Sequence, residues 1–211
     1  MISDFFLALI LALIQGLTEF LPISSSAHLL FPSLLFGAKD FGIVFDISVH
    51  AGTLVAVIYY FKKEILGLFH AWMPWSHNRN KENFSLGLHL IVATLPIVLA
   101  GLLASDLSES RSVNINSIAW ANLIFAALLF AAYKSSSQSR SLAELTLFAA
   151  RIIGCFQALA VFPGASRSGL AITGALIIGL NINEASRFAF LLLLPTISWP
   201  LILWIVNGSC S

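Results

Sequence analysis

The sequence predicts an all-α integral membrane protein, and three observations lead to this fold class. Hydrophobic residues make up 58% of the 211 residues and charged residues only 10%, whereas a soluble domain is usually about one-quarter charged. The mean hydropathy is +0.91. Several apolar stretches approach the roughly 20 residues that a helix needs to cross a bilayer. Lipid is therefore the expected solvent, and a net charge of +1 gives no electrostatic reason to expect nucleic acid as a partner.

Four nearly charge-free stretches are predicted to be transmembrane helices. They are residues 43–61, 86–104, 117–133 and 188–206. The first contains one acidic residue, Asp46. An apolar run at the N-terminus resembles the core of a signal peptide, but Asp4 precedes it and no basic residue does, so we expect it to stay in the mature protein.

Two further apolar stretches are interrupted and predict helix–break–helix hairpins. The run 5–18 is too short to span and meets Glu19 and Pro22 before the chain becomes apolar again at 29–36. The run 145–162 stops at Pro163-Gly164, and an apolar run follows at 170–180. Non-helical backbone at membrane depth is tolerated only where protein or a water-filled cavity covers it. We therefore expect two re-entrant hairpins with their breaks near the middle of the membrane.

The distribution of basic residues predicts the orientation. Loops 62–85 and 134–144 carry most of the loop lysines and arginines, and loops 37–42 and 105–116 carry one each. The positive-inside rule therefore places the first pair of loops in the cytoplasm. The first hairpin then enters from outside and the second from inside.

This arrangement is an inverted-topology repeat, which typically builds its site where broken helices meet. Residues 1–211 are interpreted as a single membrane domain, with one repeat at about 1–133 and the other at about 145–206. The second repeat is shorter by two helices. The chain is therefore either a fragment or a divergent short form.

The first break carries a carboxylate, hydroxyls and an imidazole. Gln15 and Glu19 are four residues apart and share one helix face. Ser24, Ser25 and Ser26 can simply cap the next helix, so the serines alone do not indicate catalysis. An acidic residue at membrane depth costs roughly 2.5–3.5 kcal/mol and is functional by default, which favours a functional role for Glu19 and for the nearby His28.

The second break carries Pro163-Gly164-Ala165-Ser166-Arg167-Ser168-Gly169. The helix after it directs free N–H groups and its positive dipole end at the break, which favours an anion there. Arg167 adds a planar fork of donors that matches phosphate oxygens. The alternative is an internal Arg167–Glu19 ion pair that holds the hairpins together.

Other polar and aromatic positions are interpreted more simply. Asp46 and His50 either line a cavity or sit at the membrane surface. We expect Cys155 to be a small buried residue and Arg151 to reach the cytoplasmic surface. Residues expected in the solvated cytoplasmic region or in interfacial belts are His70, His77, His89, Trp72, Trp75, Trp120 and Trp204.

Two long segments resemble the signature segments of the undecaprenyl-diphosphate phosphatase family, also called bacitracin-resistance proteins. They are QGLTEFLPISSSAHLL and GCFQALAVFPGASRSGLAITGAL, and the resemblance extends from about residue 5 to residue 206. It implies a multi-pass enzyme of the bacterial inner membrane whose site opens toward the periplasm. Such enzymes remove the terminal phosphate of the C55 isoprenyl diphosphate, recycle the lipid carrier for peptidoglycan synthesis and confer bacitracin resistance. The resemblance also implies a divalent cation, Mg²⁺ or Ca²⁺.

The family's motif residues map onto this chain position by position. Its acid falls on Glu19, its histidine on His28 and its arginine on Arg167. Gln15 stands where some members carry a second acid, and Ala27 where glycine is usual. The family normally has two more C-terminal helices. The remaining motif positions, which we assign to phosphate binding or catalysis, are Gln15, Ser24, Ser25, Ser26, Gly164, Ser166 and Ser168.

The resemblance and the residue chemistry together suggest roles that the sequence does not fully separate. Arg167 and the helix after the second break are expected to hold the diphosphate, and Glu19 to bind the cation. The nucleophile is Ser25 activated by His28, or His28 itself, or water. A lipid-phosphate flippase with the same inverted-repeat architecture is the alternative function, and a non-catalytic scaffold is a third. The expected partners are a polyprenyl diphosphate and the bilayer, and homodimer formation is left open.

Overall fold

A computed structural model describes residues 2–73, 80–103 and 114–206, with the side chains of residues 2, 3, 200 and 203–206 left out of the description. Within these ranges the regular structure is helical, apart from an isolated parallel bridge between Arg140 and Leu180. The α-helices are α1 (Ile2–Thr18), α2 (Ser25–Phe36), α3 (Ile43–Tyr60), α4 (Lys62–Trp72), α5 (Lys81–Leu103), α6 (Ile115–Ser135), α7 (Leu147–Ala158), α8 (Arg167–Ile177) and α9 (Ile182–Val206).

The predicted spans correspond to long helices. Helices α3, α5 and α6 are long and apolar enough to cross a membrane and cover the predicted spans 43–61, 86–104 and 117–133. The fourth predicted span, 188–206, lies within the 25-residue helix α9. The all-helical, membrane-type architecture predicted from composition is therefore confirmed.

The core is built around α9 and the short helix α8. Phe188 and Leu191 to Leu193 of α9 are fully buried, as is every α8 residue from Ser168 to Leu176. The long helices instead leave large apolar side chains exposed, among them Val55, Leu99 and Leu123. Because exposed apolar side chains belong in lipid, the long helices form the outer wall around a short, protein-covered helix.

Two glycines let α7 sit close to its neighbours. A Cβ at Gly154 would collide with the carbonyl of Ala93 on α5, and a Cβ at Gly174 of α8 would lie 3.1 Å from the Cα of Ile153. Small residues of this kind allow helix backbones to approach closely within a membrane. They fix the α7–α8 hairpin against α5 and so position the second break.

Both predicted interruptions are present as helix–break–helix segments. Helix α1 ends at Thr18 and α2 begins at Ser25, with Pro22 in the turn between them. Helix α7 ends at Ala158, a 3₁₀ turn covers Leu159–Val161, and α8 begins at Arg167. Gly164 has φ +92°, a left-handed conformation that favours glycine.

The predicted loop 62–85 is wrong in its first half, because α4 occupies Lys62–Trp72. Only Phe61 separates α4 from α3. The indole ring of Trp72 stacks on the ring of Phe84 at 4.8 Å between centroids, and Glu64 pairs with Arg187 of α9 at 3.0 Å. These contacts give a polar helix enough partners to fold outside the apolar spans.

Two side-chain environments also differ from expectation. His89 is buried rather than solvated, because it lies on the same face of α5 as Ala93, which packs on α7. Cys155 is exposed rather than buried, because Ile153 and Gly154 take the inward positions of that turn. His70 and Arg151 are exposed. The predictions for Trp75, His77 and the side chain of Trp204 lie outside the described residues.

Candidate active site

The two breaks lie directly against each other. The hydroxyl of Ser168 lies within donating distance of the carbonyls of Glu19 and Leu21, at 3.4 and 3.2 Å. A Cβ at Gly169 would lie 3.2 Å from the carbonyl oxygen of Pro22, so this approach suits a residue without a side chain. Segments that are almost 150 residues apart in sequence thus form one structural unit.

A serine caps each helix that starts at a break. The Ser24 hydroxyl accepts from the Ala27 N–H at 3.3 Å, and the Ser166 hydroxyl accepts from the Gly169 N–H at 3.1 Å. The N-termini of α2 and α8 border one polar cavity, and both carry a partial positive charge that favours an anion. Its polar lining consists of Glu19, Ser24, Ser25, Ser26, Ser166, Arg167 and Ser168.

Glu19 is the buried anion of this cavity, with 4% of its side chain exposed. Its Oε2 atom accepts hydrogen bonds from the Gln15 amide at 2.7 Å and from the Ser25 hydroxyl at 2.6 Å. Its Oε1 atom lies 3.2 Å from Nη2 of Arg167. A buried carboxylate needs such partners, because an uncompensated charge in an apolar interior is very costly.

The ion pair that the sequence left as an alternative is therefore formed. Glu19 takes one of the five N–H donors of Arg167. The arginine side chain is 22% exposed and borders two cavities, the polar one and a second one beside α3. Pairing with Glu19 thus leaves Arg167 with donors for an anionic ligand.

Among the described residues, His28 makes no hydrogen bond with Ser25 or Glu19, so the predicted Ser25–His28 pair is not formed. The Nδ1 atom of His28 lies 2.7 Å from the carbonyl oxygen of Ser24, and its ring packs on Phe31 at 5.4 Å between centroids. The Ser25 hydroxyl donates to Glu19 instead. The spacing of three residues suggested that the side chains of Ser25 and His28 lie on the same side of α2. Ser25, in the first turn, instead donates across the break to the Glu19 carboxylate, which is a stronger acceptor.

His50 of α3 reaches the carboxylate, although it was not among the predicted catalytic residues. Its Nε2 atom lies 3.5 Å from Oε2 of Glu19, and its side chain is 14% exposed. Its Nδ1 atom lies 2.7 Å from the carbonyl oxygen of Asp46. A carbonyl can only accept, so the proton of that contact lies on Nδ1.

Comparison with known proteins identifies the family of the chain. A family model described as bacitracin resistance protein BacA matches residues 8–208. The chain belongs to this family.

Three relatives of this BacA family member are named undecaprenyl-diphosphatase. The protein from Saccharophagus degradans is 48% identical over 195 residues, that from Alcanivorax borkumensis 46%, and that from Teredinibacter turnerae 45%. Each alignment covers 92% of this chain and 74% of the relative. The matched regions include both breaks.

The side chains around the polar cavity can hold a divalent cation only if the substrate supplies most of the ligands of that cation. Among the described residues, no three His, Cys, Asp or Glu side chains form a group that could hold a metal. Glu19 is one carboxylate, and serine hydroxyls are the other protein oxygens around the polar cavity. Mg²⁺ is commonly held by one or two carboxylates together with phosphate oxygens and waters, so these residues fit a cation that arrives with a diphosphate.

Two buried glutamines mark the approach to the breaks. Gln15 and Gln157 are both fully buried and precede their break prolines by seven and six residues. Gln15 donates to Glu19, whereas neither amide atom of Gln157 has a hydrogen-bond partner among the described residues. The two positions therefore differ in what they contact, although they correspond in sequence.

One signal in the sequence could have identified His50. Asp46 and His50 are polar residues four apart in an otherwise apolar span, and intramembrane ionisable residues usually face a cavity. The same rule favoured Glu19. This rule does not indicate that His50 lies next to Glu19.

Proposed function

We propose that this chain is an undecaprenyl-diphosphatase, which hydrolyses the C55 isoprenyl diphosphate to the monophosphate and phosphate. The observation that carries the proposal is the contact of Ser25, Glu19 and Arg167 at the N-termini of two facing helices. A hydroxyl beside a carboxylate and an arginine beside an anion cavity are the groups that phosphoryl transfer needs. The reaction recycles the lipid carrier for peptidoglycan synthesis, and an excess of the enzyme confers bacitracin resistance.

We further propose that the two helix–break–helix segments are re-entrant hairpins of an inverted repeat in the bacterial inner membrane, with the site open to the periplasm. The serine caps at the start of α2 and α8 support equivalence of the hairpins. Most basic residues outside the predicted apolar spans, including Lys62 and Lys134, fall in the two segments that the positive-inside rule assigns to the cytoplasm, and Lys39 falls in the opposite set. Single-cysteine labelling in intact cells should modify position 39 and spare position 134.

In this scheme, a contact between Arg167 and the substrate phosphates replaces the Arg167–Glu19 ion pair. The polar cavity measures about 20 Å³, which is room for about one water and not for a diphosphate. Arg167 must therefore turn from Glu19 toward the phosphate oxygens as the substrate enters. The N–H groups at the starts of α2 and α8, with Ser24, Ser26, Ser166 and Ser168 around them, then line the space that the diphosphate occupies. Gly164, which the sequence also assigned to this set, lines a separate small cavity beside α6.

Ser25 is the proposed nucleophile and Glu19 its base. The Ser25 hydroxyl already donates to Glu19 at 2.6 Å, within the reach required of a general base. Its oxygen attacks the terminal phosphorus while its proton moves to Glu19, and the bond from that phosphorus to the bridging oxygen breaks. Polyprenyl phosphate leaves with the bridging oxygen and takes up the proton from Glu19. Water then attacks the serine phosphate and gives a proton to Glu19, the bond between phosphorus and the Ser25 oxygen breaks, Glu19 returns the proton to that oxygen, and inorganic phosphate leaves.

His28 and direct attack by water are the other two routes that the sequence left open. His28 has its Nδ1 committed to the Ser24 carbonyl and is absent from the lining of the polar cavity. We therefore assign it a supporting role in α2. Gln15 holds Glu19 in place through its amide and does not replace a second acid.

A divalent cation, Mg²⁺ or Ca²⁺, is proposed to accompany the diphosphate. The Glu19 carboxylate would hold it, chiefly through Oε1, which becomes free when Arg167 turns away. Its chemistry would be to neutralise charge on the phosphate oxygens. The lipid-phosphate flippase alternative is not adopted, because the relatives are named as diphosphatases and a hydroxyl–carboxylate pair serves hydrolysis.

The Ser25→Ala variant is expected to lose phosphate release by about a thousandfold or more, because the nucleophile is removed. Wild-type protein incubated with substrate labelled on the terminal phosphate and quenched in acid should carry label on Ser25. The matched control is Ser33→Ala on the same helix, whose hydroxyl donates only to the Leu30 carbonyl. Label on His28, or on no side chain, would contradict the serine assignment.

The Arg167→Ala variant is expected to lose nearly all hydrolysis, since the phosphate clamp is gone. Arg167→Lys keeps a positive charge beside Glu19 and should fold normally, yet it should also lose at least about tenfold in kcat/KM because the planar fork is lost. Arg151→Ala, an exposed arginine of α7, is the control. Phosphate release and thermal unfolding in detergent are measured together. Half of the wild-type activity in Arg167→Ala would refute the clamp.

Chelation of divalent cations is expected to lower phosphate release by about tenfold or more, and added Mg²⁺ or Ca²⁺ should restore it. The measurement is phosphate release in detergent, where no second compartment exists and a transporter would release none. Full activity after exhaustive chelation would remove the cation from the scheme while leaving Ser25 and Arg167 in place.

A further inference from the structure

Helix α3 brings a histidine to the edge of the polar site. The side chains of Thr53, Leu54 and Val57 on this helix are buried, and His50 precedes them by three, four and seven residues. This is the spacing of one helix face, so His50 lies on the side of α3 that meets protein. Its side chain is 14% exposed. The proposed reaction gives this histidine no role, although it approaches the proposed base, Glu19.

The ring of His50 is oriented by its own helix. The Nδ1 atom lies 2.7 Å from the carbonyl oxygen of Asp46, one turn earlier, and carries the proton of that contact. The Nε2 atom, on the other side of the ring, lies 3.5 Å from Oε2 of Glu19. The backbone of α3 therefore sets which ring atom faces the carboxylate.

The length of the contact between Nε2 and Oε2 indicates how the two atoms meet. A charged N–H group that donates to a carboxylate normally closes to about 2.7–2.9 Å. The distance of 3.5 Å is longer than this range and longer than an ordinary N–H···O hydrogen bond. Such a gap fits a nitrogen lone pair that faces an oxygen with no hydrogen atom between them. Two acceptors that meet in this way do not attract each other until one of them gains a proton.

The two oxygens of Glu19 have different tasks in the proposed reaction. Oε1 faces Arg167, which turns toward the phosphates. Oε2 accepts from the Ser25 hydroxyl at 2.6 Å and takes the proton of that hydroxyl when the serine attacks. Gln15 contacts Oε2 through its amide nitrogen, which can only donate. Once the serine oxygen has bonded to phosphorus, His50 is the described partner of Oε2 that offers a nitrogen lone pair.

We propose that His50 is a positioning residue for the proton that Glu19 holds. When Oε2 takes the Ser25 proton, the hydrogen atom turns to Nε2 and the two atoms close to hydrogen-bond distance. The proton stays on Glu19 and later passes to the bridging oxygen, so His50 accepts a hydrogen bond and gains no charge. This hydrogen bond is absent before the reaction and present during it, and only such interactions raise kcat. The inference rests on the proposed function and adds a third helix to the site.

The first test examines the ring directly and needs no hydrolysis. Full-length protein with ¹⁵N-labelled histidine is studied by NMR in detergent at neutral pH, and the His50 resonances are assigned by their loss in His50→Gln. We expect Nδ1 to carry the single ring proton and Nε2 to carry none. Glu19→Gln puts an amide N–H group in place of the protonated oxygen, and the Nε2 resonance should then move in the direction of a lone pair that accepts a hydrogen bond. A proton on Nε2, or an unchanged Nε2 resonance in Glu19→Gln, would overturn the proposal.

The second test is kinetic. His50→Leu removes the acceptor and should slow the transfer of label from the terminal phosphate to Ser25 by about tenfold in a single-turnover, acid-quenched experiment, with KM within about twofold of wild type. His50→Gln should restore at least about half of the wild-type rate, because its side-chain carbonyl can accept from a similar position. The matched control is His89→Leu, the same change at a buried histidine of α5 that lines neither cavity, and it should alter neither value.

Three kinetic outcomes would speak against the positioning role. They are a wild-type rate in His50→Leu, an equal loss in His50→Leu and His50→Gln, and a raised KM with an unchanged rate, which would place the ring on the substrate. In a Ser25→Ala background, where no serine proton moves, His50→Leu should cause no further loss of the residual phosphate release. A further tenfold loss there would mean that His50 only supports the fold.

The two proposals can fail separately. A protein that releases no phosphate but shows the expected Nε2 resonances in wild type and in Glu19→Gln would contradict the hydrolase proposal and support the His50 contact. A protein that releases phosphate and carries label on Ser25, yet has a proton on Nε2, would do the reverse.

Discussion

The whole arrangement depends on one buried carboxylate. Glu19 lies in an apolar protein with 4% of its side chain exposed, and it is tolerated because both breaks supply partners. Gln15 and Ser25 come from its own hairpin, and Arg167 comes from the other. Removing one partner of a buried ion pair typically costs about 3–5 kcal/mol, because the remaining charge stays buried. The two hairpins are thus tied to each other by the electrostatics of a single side chain.

The Glu19–Arg167 ion pair also explains how a stable site can bind an anionic substrate. Glu19 and Arg167 neutralise each other while the cavity is small, so neither charge is left uncompensated. An anionic headgroup offers Arg167 a second partner of the same kind and frees one carboxylate oxygen. In the proposed scheme, the contact of Arg167 with Glu19 is exchanged for one with substrate, and the proposed cation takes the place of Arg167 beside Glu19.

Burial of the broken helices supports this exchange. Helix α8 is short, starts at a break and is covered by α6, α7 and α9 along almost its whole length. The long outer helices provide that cover and face the lipid. An interrupted backbone needs such protection, because its free N–H and C=O groups cannot be left in hydrocarbon. The free N–H groups at the helix starts are then available only to the polar cavity, where they favour an anion.

The sequence by itself determined the class of protein and the chemistry it carries. Composition required a membrane, the apolar runs located the spans, and the interruptions at Pro22 and Pro163-Gly164 located the breaks. The cost of Glu19 and Arg167 at membrane depth marked them as residues that need partners. Each of these inferences depends on local composition or on spacing along one helix, which a sequence contains directly.

Only the tertiary structure decided which partners those residues have. Glu19 meets Arg167 across 148 positions and meets His50 from a third helix, and no local periodicity encodes either contact. Spacing within α2 suggested His28 as the partner of Ser25, but the hydroxyl donates across the break to Glu19. The inward and outward positions of His89 and Cys155 were likewise set by how α5 and α7 pack. In a chain where almost every face is apolar, hydrophobic pattern cannot distinguish the face that meets protein from the face that meets lipid.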